Sequence, residues 1–482
     1  MKQDAINKKE LQKLYQRGKI SRRDFLRQAA LFGVSLGSAS AFLAACGAQP
    51  TAPAAAPAEK GPAETQAEAS AEENPESPKP DELVLVYWTV DGDEVPVKAA
   101  MEQFEADYGV PVKWEQQANV EETNQKVLSL TLAGEQFDVM VMHVHNRPKW
   151  VEEGIAQPLD GLPGLDEYLS KMLPAARALV TYQDKVWGLP YFLSLNTYAY
   201  NTELFEQSGF SELPKTLAEM GEMAQKMKAD GLVKYPIVWQ AGVGSEHIGD
   251  TYFSLIASNG GELFDEELNP LFGEGSIARD TLKWWQQTFI DWEIADPASL
   301  ELRWIPAIKA QATGDYVFTI TRERYMNFAN DPEQSPTAGK HQIFKIGQHL
   351  FAGHMWALPA NAYDRNYSWN LLQYFGGHEK SGKYVYQTDR VLTSLSTGWP
   401  AIAFQDAKVK EFISKMYDPE EYNRQWEDAV FIGNVCRALS ATWYGEWVDQ
   451  TLVPNLQNCL AGSITADEAA DNIAKGAETL RG

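Results

Sequence analysis

The side chains of this 482-residue chain that most resemble metal ligands are histidines. His143 and His145 are two residues apart on or near a predicted strand, so both imidazoles could face one ion, with His354 as a third ligand. A His-x-His pair without a nearby Cys or His cluster is, however, a weak signal. We therefore predict no metal site and no cofactor. A metal-binding solute receptor is the least favoured alternative.

Glycoside hydrolysis is a second possible chemistry, because it needs two carboxylates acting as a pair. The chain has 66 Asp and Glu, so the presence of carboxylates proves nothing about their use. We find no nucleophile motif, and Gly242-Val243-Gly244 has His247 where the third glycine of a dinucleotide-binding motif belongs. We predict a binding protein and not an enzyme, with an exported glycoside hydrolase as the alternative.

The formal net charge of −24 excludes most nucleic-acid binders. Nine Lys or Arg against three acids give residues 1–45 a charge of +6, so the rest of the chain carries −30. No Lys/Arg cluster in the body of the chain offsets this charge. We predict that nucleic acid is not a partner.

The stretch 187–205, WGLPYFLSLNTYAYNTELF, organises the rest of the chain. Its β-prone residues from Tyr191 to Tyr200 predict one long strand, which Pro190 starts in an extended conformation. Ser194 and Asn196 share one face of that strand, since strand side chains alternate. A polar face on a buried strand needs partners or a ligand.

The same region resembles a known family. The run YQDKVWGLPYFLSLNTYAYNTELFEQSGFSELPKTLAEM is similar to the first inter-lobe crossing of extracellular solute-binding proteins of the sugar-binding, maltose-binding-protein-like type. The resemblance covers about residues 83 to 482 and is weakest between Arg303 and Gln348. It implies an α/β, two-lobed periplasmic-binding-protein type II fold with several inter-lobe crossings. It further implies a carbohydrate or polyol ligand and an ABC permease as partner.

The family binds sugars by stacking them on aromatic rings and pairing their hydroxyls with acceptors and donors. LSATWYGEW resembles the family's stacking helix and nominates Trp443 and Tyr444, and Asp250-Thr251-Tyr252-Phe253 resembles a second stacking segment. Where the family has a Lys, a Trp, a Glu and a Gly-Trp turn, this chain has Glu94, His143, Ser194 and Arg324, so the ligand itself is not predicted. The predicted ligand-binding residues are Asp93, Glu94, His143, Asn146, Arg147, Ser194, Asn196, Asp250, Tyr252, Arg324, Tyr325, His354, Trp443 and Tyr444.

The N-terminal region predicts export and anchoring. Ser21-Arg22-Arg23-Asp24-Phe25-Leu26-Arg27 before a short apolar run is typical of a twin-arginine signal, and Leu43-Ala44-Ala45-Cys46-Gly47 resembles a lipobox. Diacylation of Cys46 would anchor the protein outside the cytoplasm, on the cell membrane. The Ala-, Pro- and Glu-rich stretch that follows has too few apolar residues to fold.

Alternating apolar strands and amphipathic helices predict the two lobes. We predict a signal peptide over residues 1–45, a disordered tether over 46–82, an N-terminal lobe from 83–193 and 354–399, and a C-terminal lobe from 194–353 and 400–482. Cys436 and Cys459 could pair in an oxidising compartment, but two buried free thiols are favoured, because twin-arginine cargo folds in a reducing one.

Overall fold

The computed structural model of the chain describes residues 78–88, 93–394, 399 and 406–482. Residues 80–131 and 135–482 form one compact unit. The predicted signal peptide, the lipidation site Cys46 and the tether up to residue 77 lie outside the described residues, as do residues 395–398 and 400–405. None of the described helices is both long and apolar enough to cross a membrane.

Strands and helices alternate along the described chain, as expected for an α/β protein. The strands are β1 Leu83–Trp88, β2 Val112–Gln117, β3 Val139–His143, β4 Ala156–Gln157, β5 Thr181–Tyr182, β6 Lys185–Val186, β7 Leu189–Asn201, β8 Ile237–Val238, β9 Phe318–Arg322, β10 His341–Phe344, β11 Leu350–Pro359 and β12 Val430–Phe431. The helices are α1 Glu94–Tyr108, α2 Val120–Ala133, α3 Arg147–Glu152, α4 Leu165–Lys171, α5 Pro174–Val180, α6 Thr202–Gln207, α7 Leu217–Ala229, α8 Asp250–Ser258, α9 Ile277–Phe289, α10 Trp304–Gln311, α11 Met326–Asn330, α12 Arg365–Gly376, α13 Val385–Ser394, α14 Ala407–Ser414, α15 Pro419–Glu427, α16 Ile432–Val435, α17 Tyr444–Trp447, α18 Val453–Leu460 and α19 Ala466–Arg481.

The main sheet has the strand order β2-β1-β3-β11-β7-β9-β8. Strands β2, β1 and β3 are parallel to one another, as are β9 and β8, whereas β11 and β7 run antiparallel to their main neighbours. The two parallel sets are therefore joined through β7 and β11. The long strand predicted around Tyr191 to Tyr200 is confirmed as β7, which has 13 residues.

Strand β7 changes partners along its length. Its residues 189–195 pair with β11, whereas residues 196–200 pair with β9. The pairing with β11 shifts register between His354 and Met355, where His354 lies opposite Phe192 but Met355 lies opposite Pro190. Tyr191 is the additional residue of this β-bulge. One strand thus belongs to both halves of the sheet.

Local sequence signals account for the helix ends. Gly109 ends α1 with a left-handed backbone (φ 64°), a conformation that glycine adopts without steric cost. Thr465 and Glu468 form a capping box at the start of α19. At α7 the Thr216 hydroxyl accepts from the Glu219 amide, but the Glu219 carboxylate accepts from the amide of Lys215, one residue before the partner that a capping box would use.

Cys436 and Cys459 are buried free thiols, as predicted. Burial raises the pKa of the Cys459 thiol to about 12, and the pKa of Cys436 also rises. Both side chains therefore behave as small apolar groups of the core.

Candidate functional site

Two adjoining cavities lie where β1, β3, β7, β9 and β11 present their ends or central residues. The larger has a volume of about 340 Å³ and the smaller one of about 10 Å³. Phe192, Arg322 and His354 line both, so the cavities form one site. The other lining residues are Trp88, Val120, His247, Arg303, Trp304, Ile305, Pro306, Arg324 and Tyr325 in the larger cavity, and His143, His145, Ser194, Asp250, Ala352 and Gly353 in the smaller one.

Aromatic rings form one part of the wall. Trp88 is the last residue of β1, Phe192 lies in β7, and Trp304 begins α10. Tyr325, in the helical turn Glu323–Tyr325 after β9, has its ring centroid 6.3 Å from that of Trp304. Rings held by secondary structure at a cavity suit the apolar C–H faces of a ligand.

A buried ion pair forms the charged part of the wall. Arg322, the last residue of β9, lies 2.9 Å from the carboxylate of Asp250, the first residue of α8. Arg322 is 7% exposed and Asp250 is 2% exposed. The guanidinium carbon lies 4.7 Å from the centre of the Trp304 ring. The pair places a positive and a negative group together at the cavity, ready to donate and accept hydrogen bonds.

Arg324 adds a second guanidinium. Its Nη2 donates to the Tyr325 hydroxyl at 2.7 Å, and its guanidinium carbon lies 4.9 Å and 4.6 Å from the ring centres of Phe192 and Tyr325. The side chain is only 7% exposed. Contacts with the two rings hold a full positive charge in place at the cavity.

Glu323 lies between these arginines in sequence but points into the protein. It is completely buried, and its Oε2 accepts from the Leu195 amide at 2.7 Å and from the Ser194 hydroxyl at 3.5 Å. Burial raises the pKa of Glu323 to about 7, opposed by the Leu195 hydrogen bond and by the charges of Arg324 and Arg322. The carboxyl group thus connects the turn after β9 to the central part of β7.

Three imidazoles cluster beside the ion pair. His143 lies opposite His354 on β11, and its ring centre is 4.1 Å from that of His354 and 4.2 Å from that of His145. The His145 amide donates to Nδ1 of His143 at 3.1 Å. Among the described residues no group of three or more metal-type side chains has the arrangement needed to hold an ion. All three histidines line the smaller cavity, where ring nitrogens can form hydrogen bonds.

Six predicted site residues come together at these cavities. They are His143, Ser194, Asp250, Arg324, Tyr325 and His354. Asn196 lies near them on the same face of β7 as Ser194, but its amide nitrogen donates to Ser254 at 2.9 Å. Asn146 begins α3 half-buried, and Glu94 accepts from Gln116 on the surface at 3.1 Å; neither is among the described lining residues.

Two of the predicted polar residues are used inside the protein. Asp93 has no exposed surface, and its carboxylate accepts from Tyr87 at 2.5 Å, Tyr191 at 2.8 Å and Arg390 at 3.0 Å. Arg147 donates to the carbonyls of residues 178, 179 and 181, and burial lowers its pKa to about 10. Asp93 and Arg147 were predicted to contact the ligand, but in the structure their side chains hydrogen-bond to other groups of the protein.

The predicted stacking residues are also placed differently. Tyr252 is completely buried, donates to the Ala278 carbonyl at 2.7 Å and stacks on Trp285 at 6.2 Å. Trp443 packs against Phe264 at 6.0 Å. Tyr444, 3% exposed, contacts His145 from behind, with ring centres 5.2 Å apart. None of the three is among the described residues that line either cavity.

The sequence prediction missed Trp88, Phe192, His247, Arg303, Trp304 and Arg322 as site residues, and considered His145 only as a metal ligand. Arg303, Trp304 and Arg322 lie in the stretch where the family resemblance is weakest. A signal was nevertheless present, because Arg322 follows the β-prone run YVFTI (316–320) by two residues, and α/β sheets bind ligands beyond the carboxyl ends of their strands.

Comparison with known proteins identifies the family of the chain. Residues 99–397, more than half of the chain, match the family model described as Bacterial extracellular solute-binding protein. The chain belongs to this family. Over 144 residues, or 30% of the chain, it is 26% identical to the protein named mannitol-binding protein of Pseudomonas aeruginosa. The match spans about a third (33%) of that relative's length.

Solved structures of solute-binding proteins share the fold. Maltose-bound MalE3 of T. maritima has a TM-score of 0.68 at 18% identity and covers 83% of this chain and 99% of its own. A ribitol complex of a solute-binding protein from Agrobacterium radiobacter K84 has the same TM-score and identity, covering 83% and 100%. The predicted fold class, two-lobed α/β of the periplasmic-binding-protein type II, is confirmed by these neighbours.

Proposed function

We propose that the chain is the solute-capturing component of an ABC importer and that its ligand is a carbohydrate or polyol held between two lobes. The observation that carries this proposal is the cavity in which the rings of Trp88, Phe192 and Trp304 accompany the buried pair Arg322–Asp250. Rings bind the C–H faces of a sugar, and charged groups bind its hydroxyls. Relatives named for mannitol and maltose support the same ligand class.

Enzymatic hydrolysis of a sugar is not favoured. A glycosidase of the usual kind needs two carboxyl groups on either side of the scissile bond. Asp250 is the single carboxylate among the described lining residues, and it is paired with Arg322. The site therefore supports binding without a following chemical step.

The lobe boundaries are part of the proposal: residues 83–193 with 354–399, and residues 194–353 with 400–482. With these boundaries Trp88, His143 and His354 belong to one lobe, and Asp250 and Arg322 belong to the other. A ligand that contacts both sets binds the closed arrangement better and shifts the population toward it. Strands β7 and β11 would supply the hinge, because a few backbone dihedrals suffice for such a motion.

Family membership places the chain outside the cytoplasm. We further propose that a lipid on Cys46 and the tether over residues 46–82 keep it close to its permease. Cys46→Ala is expected to remove lipidation, which metabolic labelling with a fatty acid would detect. A variant that still incorporates the label through its N-terminus would contradict the anchor.

Calorimetry of the purified protein against a panel of neutral and acidic sugars and polyols tests the binding function. We expect at least one member to bind, and small-angle scattering to show a smaller radius of gyration when that member is present. Failure of every member to bind would refute the carbohydrate proposal. Binding at constant radius would refute only the closure.

A further inference from the structure

The charge of the cavity is opposite to that of the chain. The whole chain carries −24, yet the lining residues include three arginines, Arg303, Arg322 and Arg324, and one carboxylate, Asp250. Glu323 lies directly behind the wall, and burial raises its pKa to about 7. Even with both carboxyl groups ionised, the three guanidinium groups leave a positive excess at the site.

The two buried arginines are held in fixed positions. Arg322 lies over the Trp304 ring and Arg324 lies between Phe192 and Tyr325, each with about nine-tenths of its surface removed from solvent. Keeping a charged group out of water costs free energy unless an opposite charge or hydrogen bonds compensate. Neutral hydroxyl groups do not require two such charges. An anion on the ligand would offset the cost of the positive excess.

The histidines add donors to this arrangement. His143 accepts from the His145 amide through Nδ1, so its proton is on Nε2 in the neutral form. The wall thus offers guanidinium and imidazole N–H groups, with acceptors at Asp250 and Ser194. A neutral sugar needs donors and acceptors in similar number, whereas a carboxylate or phosphate oxygen only accepts.

We propose that the ligand of this site is an acidic carbohydrate, a sugar or polyol chain bearing a carboxylate or phosphate that the guanidinium groups of Arg322 and Arg324 bind. This inference rests on the proposed carbohydrate-binding function and specifies its ligand class. The planar guanidinium matches both anions through paired N–H donors. The volume of about 340 Å³ is near the lower end of ligand pockets, which favours a single ring or short chain over an oligosaccharide.

The test compares each acid with its neutral counterpart by calorimetry. The pairs are glucuronate with glucose, gluconate with sorbitol, galacturonate with galactose, and glucose 6-phosphate with glucose. We expect at least one acid to bind about tenfold or more tightly than its partner, since hydrogen bonds to charged groups contribute roughly 1.5–3 kcal/mol. The carboxylate and phosphate pairs distinguish the two anions.

Two variants connect that preference to the arginines. Arg324→Gln is expected to weaken binding of the acid about tenfold or more and to lower the ratio of acid affinity to neutral-sugar affinity by a similar factor. Arg303→Gln changes an exposed lining residue, and the same affinities measured with it replace the first test if Arg324→Gln is poorly folded. Arg481→Gln removes the same charge at the exposed end of α19 and is the matched control.

The outcomes separate the two proposals. Neutral sugars that bind as tightly as their acids, or acid binding that survives both cavity variants, would overturn the acidic ligand and leave the carbohydrate function standing. If no member of any pair binds, the carbohydrate function fails and the acidic ligand fails with it.

Discussion

Two buried Arg–Asp pairs in the described part of the chain have nearly the same geometry. Arg390 lies 3.0 Å from Asp93, and Arg322 lies 2.9 Å from Asp250. Each guanidinium lies over an aromatic ring, at 4.1 Å over Tyr191 and at 4.7 Å over Trp304. The first pair has no exposed surface, whereas in the second Arg322 lines both cavities and Asp250 lines the smaller one.

The difference lies in what closes each pair. The hydroxyls of Tyr87 and Tyr191 also donate to Asp93, so protein side chains surround that carboxylate. Arg322, by contrast, faces the two cavities that it lines. The same ionic interaction therefore stabilises the fold in one place and forms a binding wall in the other, and the sequence near either pair does not show which role applies.

The largest expected effect concerns Arg390–Asp93, the pair with no exposed surface. Asp93→Ala would leave the charge of Arg390 buried without its carboxylate, and removing one partner of a buried pair typically costs about 3–5 kcal/mol. Denaturant unfolding measures the loss in the free energy of unfolding. Asp250→Ala is the matched change, and we expect a smaller loss, because the cavity lets water reach Arg322. Equal losses would show that the two pairs do not differ as described.

Glu323→Gln sharpens the comparison by means of pH. Burial holds the folded pKa of Glu323 at about 7, above the ordinary 4.5, so the wild type loses stability as pH rises between those values. A shift of this size corresponds to about 3 kcal/mol. The glutamine variant keeps an acceptor for the Leu195 amide and should lack this loss. Unfolding free energies at pH 5 and pH 8 test this; identical pH dependence in both proteins would rule it out.

Trp304→Ala removes the ring over which Arg322 lies, and it has the smallest expected effect. Loss of stacking and apolar contact should weaken binding of the tightest sugar in the panel by about 1–3 kcal/mol, with the protein still folded. Trp443→Ala is the matched control, because sequence resemblance assigned the stacking role to Trp443. If calorimetry shows that Trp443→Ala weakens binding more, that assignment is to be preferred.

Much of the fold could be predicted from the chain alone. Strand β1 is a continuous apolar run, β3 is apolar up to its last residue, and β7 is rich in β-prone residues. The helix ends at Gly109 and Thr465 carry local signals that do not depend on distant contacts. The site was predicted only in part. Its residues from β7 lie in the crossing that resembles the family, whereas Trp304 and Arg322 lie in the stretch with the weakest resemblance.

The role of Asp93 could not be predicted for a different reason. Its partner Arg390 is 297 residues away in the chain, and only the packing of α13 brings the two together. An acidic residue in a loop after a strand looks the same in sequence whether it faces a cavity or an arginine. Distinguishing the two requires knowledge of the other side of the contact.

The β-bulge at Tyr191 determines which face of β7 each following side chain occupies. Both the Arg390–Asp93 pair and the Arg322–Asp250 pair lie beside this strand. The consecutive residues Tyr191 and Phe192 both contact rings of the neighbouring strand β11, with ring centres 4.9 Å apart for Tyr191 and Trp356 and 4.6 Å apart for Phe192 and His354. Tyr191 packs against Arg390 of the Arg390–Asp93 pair, whereas Phe192 lines the cavities. Deleting one residue here would restore regular alternation and turn Ser194 and Asn196 to the opposite face. We therefore expect homologues that keep this site to vary in loop length around β7 but never in the number of residues within it.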